Sequence, residues 1–246
     1  MEFTIGQKFI AELIATAILI VLGDGVCCNN TLNKSGMKGA GSIQITFAWG
    51  LAVLLPAFVF GRASGAHMNP AMTIGMAVIG ATAWNEVLPY IVAQMIGAYI
   101  GAAILVALFK EHFALTEDPA AKRGCFCTAP TIRNTFRNFL SEMVCGFLLV
   151  FTIAGISESG AAGGFNYFFV YAVIVSIGMS LGGLTGYAMN PARDLGPRIA
   201  YATLPVPGKG DADWGYAWIP VVAPCVGAVL AGLLYNALMG AGVFVG

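Results

Sequence analysis

Two short loops constrain this chain more than anything else in it: Ser64-Gly65-Ala66-His67-Met68-Asn69-Pro70-Ala71 and Thr185-Gly186-Tyr187-Ala188-Met189-Asn190-Pro191-Ala192-Arg193-Asp194. In each, an extended, glycine-containing stretch runs into a helix start. The asparagine suits an N-cap, where its side chain accepts from the first free N–H groups, and the proline that follows forfeits no hydrogen bond. The helix opened by each loop is short, ending near Ile79 in the first copy and near Tyr201 in the second. A ten-residue helix is about 15 Å long, half of a hydrocarbon core of about 30 Å. Two such half-helices entering a bilayer from opposite faces are expected to meet tip to tip at the midplane.

The bilayer follows from composition. Of 246 residues, 58% are hydrophobic and only 10% charged, where soluble domains carry about 25% charged residues. The chain reads as a polytopic membrane protein. Full spans are expected at about 8–26, 42–60, 87–109, 138–156, 165–181 and 218–238, with a polar loop over 110–137. The first apolar run is long enough to span and lacks a small-residue cleavage site, so it reads as a helix rather than a signal peptide. The 32 glycines suit close helix packing and backbone exposed to a cavity.

The halves repeat. Phe9-Ile10-Ala11-Glu12-Leu13 answers Phe139-Leu140-Ser141-Glu142-Met143, and Asn69 answers Asn190. An odd number of spans per half makes the second copy enter from the other side, giving an inverted repeat with its site at the midplane. The expected fold is therefore an all-α membrane protein of six transmembrane helices plus two re-entrant half-helices. It forms one domain, 1–246, with repeats at about 8–109 and 138–238.

Zero formal net charge argues against nucleic acid as a partner. Cys145 and Cys225 lie in apolar helical runs, Cys27-Cys28 sits at a helix end, and Cys125 with Cys127 forms a lone C-x-C. These read as small hydrophobes, with no metal and no cofactor implied. No nucleophile–base constellation appears at membrane depth, so an enzyme is not expected. The side holding both termini carries Lys8 and Arg62, with the other basic residues opposite or in the loop entering from there. The positive-inside rule alone would put the termini outside, although the long loop and the re-entrant Arg193 and Arg198 weaken its bearing.

Through its two Asn-Pro-Ala motifs, the Ala-Glu-Leu and Ser-Glu-Met pair, and Ser64 to Ala71, the sequence resembles the major intrinsic protein (aquaporin) family over nearly its whole length. Asp194 after Asn190-Pro191-Ala192-Arg193, followed by Leu195-Gly196-Pro197-Arg198, is similar to the glycerol-facilitator branch. The resemblance implies a homotetramer with one pore per monomer, cytoplasmic termini and selectivity-filter positions at Trp49, Gly178, Tyr187 and Arg193. Tyr187 departs from the phenylalanine typical of that branch and would add an oxygen at the rim. Cys225 after Pro224 is a lesser departure.

Each candidate residue has a chemical reading and a bland alternative. Asn69 and Asn190 are midplane donors at two helix N-termini, whose partial positive charge opposes cations; the alternative is an ordinary capped helix start. Arg193 is a guanidinium at membrane depth, where charge is costly and usually faces a wet cavity. Its alternative is a salt bridge to Asp194 that only staples the loop, and the reading preferred is that Asp194 shapes the loop. Trp49 and Tyr187 offer an aromatic corner for a solute's carbon face, or interfacial packing. Gly178 leaves room that a histidine would close, or merely lets helices pack. Gly65, Ala66 and His67, with Gly186, Tyr187 and Ala188, present unwound backbone whose carbonyls line a path; a buried, satisfied His67 is nearly as good a reading. Glu12 and Glu142 are either ion-coupling carboxyls or acceptors that hold the two loops, and their symmetric placement favours the second.

The function expected is a passive channel for glycerol, water and other small uncharged solutes, such as undissociated lactic acid, dihydroxyacetone, urea or hydrogen peroxide. It would sit in a lipid bilayer, a bacterial plasma membrane, and exclude ions and protons. The rivals are an ion-coupled secondary transporter and a closed-pore structural membrane protein.

Overall fold

The computed structural model describes residues 3–158 and 164–243. Along the chain run α1 (Ile5–Thr31), α2 (Ser42–Ser64), α3 (Pro70–Ile79), α4 (Trp84–Leu108), α5 (Lys110–Leu115), α6 (Pro119–Gly124), α7 (Thr135–Glu158), α8 (Phe165–Thr185), α9 (Pro191–Thr203), α10 (Trp214–Ala217) and α11 (Ile219–Gly240). Among the described residues, six helical segments are long and apolar enough to cross a membrane, the last formed by α10 and α11 together. Their outward faces keep large apolar side chains exposed, as with Phe47, Leu51, Leu55 and Phe58 along α2. In water such a surface would be a liability; against lipid it is the solvated face.

Packing repeats between the halves. α1 packs on α2 and α4, while α7 packs on α8 and α11; α2 against α8 joins the two sets. The short helices cross over: α3 lies mainly against α11, and α9 against α4. Glycine sets how closely the long helices approach. A Cβ on Gly97 of α4 would stand 2.2 Å from the Leu13 carbonyl oxygen of α1, and one on Gly227 of α11 would stand 2.0 Å from that of Met143 in α7. Without a hydrophobic drive between helices in lipid, such close backbone contact supplies much of the association.

The helices outrun the apolar stretches that announce them. α1 continues past Cys27 and Cys28 through Asn29 and Asn30 to Thr31, taking in the first residues of the polar stretch 29–41, which reads from the sequence as a connection. The 110–137 loop is not wholly irregular, because α5 and α6 lie within it. Asp118 caps α6 by accepting from the Ala120 N–H at 2.8 Å, and Pro119 opens it, the same local signal as at the Asn-Pro-Ala loops. Phe113 and Phe126 are fully buried and stacked at 5.4 Å, with Tyr201 of α9 5.3 Å from Phe126. The loop thereby closes over one end of the bundle. Between the spans expected at 138–156 and 165–181 the sequence leaves a short connection, 157–164, of which Ser157 and Glu158 belong to α7 and 159–163 lie outside the described residues.

Candidate functional site

The two half-helices meet where the asparagines predict. Asn69 Oδ1 accepts from the N–H groups of Ala71 (2.9 Å) and Met72 (3.4 Å), and Asn190 Oδ1 from those of Ala192 (3.0 Å) and Arg193 (3.2 Å). That leaves each amide nitrogen to point outward from its own helix. Asn69 Nδ2 donates to the Met189 carbonyl at 2.9 Å, and Asn190 Nδ2 donates to the Met68 carbonyl at 2.7 Å. The lock is reciprocal, each tip fastened to the backbone just before the other's asparagine. An amide nitrogen carries two hydrogens, so each keeps one for whatever lies alongside.

What lies alongside is an elongated cavity of about 300 Å³. On α2 it is lined by Trp49, Val53, Ala57 and Gly61, every fourth residue and hence one helix face. At 1.5 Å per residue that stripe is about 18 Å long, more than half of a hydrocarbon core. Leu149 and Ile153 of α7 and Val170 and Ile174 of α8 extend the apolar wall. Facing it are the backbones of 65–69 and 186–190.

Those two backbones are held in an unusual shape. Ala66, Met68, Tyr187 and Met189 all have positive φ, between 38° and 52°, a left-handed conformation that costs non-glycine residues roughly 1–2 kcal/mol each. Glu12 offsets this in the first loop, accepting from the N–H groups of His67 (2.9 Å) and Met68 (2.7 Å), the Ser64 hydroxyl (2.6 Å) and Gln94 Nε2 (2.8 Å). Glu142 does the same in the second, accepting from Ala188 (3.0 Å) and Met189 (3.0 Å) N–H groups and the Thr185 hydroxyl (2.7 Å). With the N–H groups drawn back onto buried carboxylates, the carbonyls of Gly65, Ala66 and His67, and of Gly186, Tyr187 and Ala188, accept no hydrogen bond among the described residues.

At one end of the cavity stands Arg193, in the first turn of α9. Its Nη1 lies 3.2 Å from Asp24 Oδ1 and donates to the Phe126 carbonyl at 3.3 Å. Its guanidinium carbon sits 4.2 Å from the centre of the Trp49 ring. Asp194 does not pair with Arg193. It binds Arg198 instead, with Nη2 at 2.7 Å and Nε at 2.8 Å, and accepts from the Thr128 N–H and hydroxyl. The loop-stapling alternative for Arg193 is thus replaced by a different pairing, while Asp194 ties the long loop to α9.

This architecture has known counterparts. The chain matches the Major intrinsic protein family over residues 1–235. It belongs to that family. It is 51% identical over 229 residues to the glycerol uptake facilitator protein of Bacillus subtilis, covering 93% of this chain and 84% of the relative. It is 39% identical over 238 residues to the D/L-lactic acid transporter of Lactiplantibacillus plantarum, covering 95% and 98%. The X-ray structure of the aquaglyceroporin from Plasmodium falciparum superposes with a TM-score of 0.86 at 28% identity, over 99% of this chain and 100% of that one.

In this major intrinsic protein, Trp49, Tyr187, Arg193, Asn69, Asn190, Gly65, Ala66, His67, Gly186 and Ala188 all border the one cavity. Gly178 does not. The α8 stripe through Ile174 would reach it one turn on, but a Cβ there would stand 2.8 Å from the Tyr187 ring and 2.7 Å from Thr46. Tyr187 fills the space that Gly178 leaves. The Tyr187 hydroxyl is buried, so the extra oxygen expected at the rim is turned away from it. His67 has both anticipated characters: it lines the cavity, and its ring lies 3.1 Å from the Thr73 hydroxyl and 5.3 Å from the Tyr90 ring.

Asp24, Phe126 and Gln94 carry parts of this site, and Gly23, where a Cβ would stand 2.3 Å from the Trp49 ring, leaves that ring its room, without having been selected from the sequence. Asp24 had a signal, since a carboxylate inside an apolar span is a functional candidate by default. All six cysteines are free thiols, and burial pushes the Cys127 thiol well above its ordinary range, which suits packing better than ligation.

Proposed function

We propose that this protein is a passive, bidirectional channel for small uncharged solutes, with glycerol and water the foremost. The observation that carries this reading is the cavity's two-sidedness at the asparagine lock. One wall is apolar side chain, and the other is free carbonyls with two spare amide hydrogens. A polyol has the same two faces, so its CH edge slides along Trp49, Val53 and Ile174 while its hydroxyls exchange water for carbonyls. Backbone left unsatisfied at membrane depth is tolerated where it faces a wet cavity. The converging N-termini of α3 and α9 oppose cations, protons included, by their partial positive charge. In this reading Trp49, Tyr187 and Arg193 form the selective end, with Gly178 acting through the Tyr187 ring. The names carried by the Bacillus and Lactiplantibacillus relatives support glycerol and add lactic acid, which in this reading passes in its uncharged, undissociated form. Dihydroxyacetone, urea and hydrogen peroxide have the same uncharged, hydrogen-bonding character.

The ion-coupled rival needs a titrating carboxylate facing the path. Glu12 and Glu142 instead use their oxygens to hold loop N–H groups, which favours a scaffold. The paired order of helices supports an inverted repeat, the apolar outer faces suit a lipid bilayer, and the Bacillus relative supports a bacterial plasma membrane; the homotetramer and the cytoplasmic termini rest on the family resemblance alone.

The test is light scattering from proteoliposomes under glycerol, sorbitol and impermeant gradients, with a proton-leak control. Rapid re-swelling in glycerol without proton leak is expected. Flux that saturates and follows an ion gradient would overturn the reading in favour of a transporter, and absence of flux in favour of a structural protein.

A further inference from the structure

We infer that Asp24 is the specificity-determining counter-charge of Arg193, a carboxylate supplied by α1 that makes the Arg193 end of the cavity electroneutral. The inference deepens the channel reading and rests on it. Two arginines and two carboxylates are buried at this end, and they divide unequally. Asp194 and Arg198 form a closed pair, whose further bonds go to Thr128 and to the Ala212 and Asp213 carbonyls. Asp24 and Arg193 form an open one. Neither Asp24 oxygen accepts a well-directed hydrogen bond among the described residues, although the side chain is fully buried; its one ion pair is with Arg193. A guanidinium has five N–H donors. Arg193 gives one to the Phe126 carbonyl and presents the cavity with others.

A carboxylate buried with no hydrogen-bond donor is a poor structural fastener, because the cost of its desolvation is not repaid by bonds. What Asp24 does supply is charge. Left alone, the Arg193 guanidinium would be a fixed cation on the cavity wall beside the Trp49 ring, and it would draw small anions inward. With a carboxylate 3.2 Å behind it, the solute meets donors without net charge. Lactate would then be refused where lactic acid passes, and halide refused where water passes. The neighbouring Gly23 contributes from the same turn of α1: a Cβ there would stand 2.3 Å from the Trp49 ring, so α1 backs both the cationic and the aromatic member of this end.

Because Asp24 accepts no directed hydrogen bond, Asp24→Asn removes charge and little else. The experiment uses the full chain in proteoliposomes, with glycerol re-swelling, entry of chloride read by a trapped dye, and entry of sodium under a clamped potential. Wild type, Asp24→Asn, Arg193→Met and the double variant are compared in matched vesicles. Asp24→Asn is expected to raise chloride entry at least about tenfold, equivalent to about 1.4 kcal/mol of barrier, without sodium entry. Arg193→Met, leaving the carboxylate uncompensated, is expected to raise sodium entry by a smaller factor, since the half-helix N-termini still oppose cations. The double variant should pass neither. Chloride exclusion unchanged in Asp24→Asn, or the same ion leaking in both single variants, overturns the inference. Should Asp24→Asn not fold, sodium entry persisting from Arg193→Met into the double variant overturns it equally. A wild type that passes no glycerol would instead sink the channel reading.

Discussion

At the Arg193 end of the cavity, side chains are positioned by what is missing beside them. Trp49 lies where it does because Gly23 has no Cβ, and the Tyr187 ring because Gly178 and Gly182 have none; a Cβ on Gly182 would stand 2.6 Å from that ring. Gly178→His must therefore drive Tyr187 toward the cavity. It is expected to cut glycerol flux more than water flux in matched proteoliposomes, and equal loss of both would count against Tyr187 as a selective wall. Gly23→Ala is expected to tilt Trp49 off the Arg193 guanidinium. The readout is a change in tryptophan fluorescence together with a lowered glycerol-to-water flux ratio. None of this spacing shows in the sequence around Gly178, because the ring that fills its space arrives from a loop beyond the end of α8. Asp24 stands out in the sequence as a carboxylate inside an apolar span, but its partner lies in α9, and only the folded chain brings α1 to it.

Among the elements, the two loops and their half-helices were legible almost residue by residue. Asparagine capping and a first-turn proline are local effects, which is why α3 and α9 start at Pro70 and Pro191; α3 ends at Ile79 as expected, where Gly80 takes a left-handed C-cap, and α9 runs slightly past Tyr201, to Thr203. The ends of the long helices were less legible, since α1 keeps its hydrogen bonding after its apolar run stops at Val26. The loops depend on their carboxylates. Glu142→Gln would set an amide against backbone donors and leave one of them unsatisfied, a cost of about 1–3 kcal/mol. A lowered melting temperature in detergent is expected, with no change in the ion dependence of any remaining flux. A proton relay would show the opposite pattern. Gly227→Ala would press a methyl into the Met143 carbonyl, and such overpacking typically costs about 1–3 kcal/mol; Gly97→Ala would do the same at Leu13. Both are expected to lower thermal stability to similar degrees, because they occupy corresponding seams.

For the whole molecule, the arrangement of spans followed from apolar run lengths and the duplicated glutamate and asparagine positions. What composition does not specify is the crossing-over of the short helices, α3 onto α11 and α9 onto α4, because that is a property of tertiary packing alone. The exposed apolar faces of α2 and α8, including Phe58, Phe168 and Phe169, suit either lipid or, in the homotetramer the family resemblance implies, a neighbouring protomer. Native mass spectrometry from detergent is expected to give a tetramer; a monomer that still conducts glycerol would separate transport from assembly.

The reciprocal amide lock has a consequence for biogenesis. A ribosome that has delivered only the first four helices has made an Asn69 whose acceptor, the Met189 carbonyl, does not yet exist. The earlier segment must wait, left-handed residues and all, for its mirror image to insert. Severed within the 110–137 connection and coexpressed, the two fragments should regain glycerol conduction only as a pair, and neither alone should resist protease at its own Asn-Pro-Ala turn.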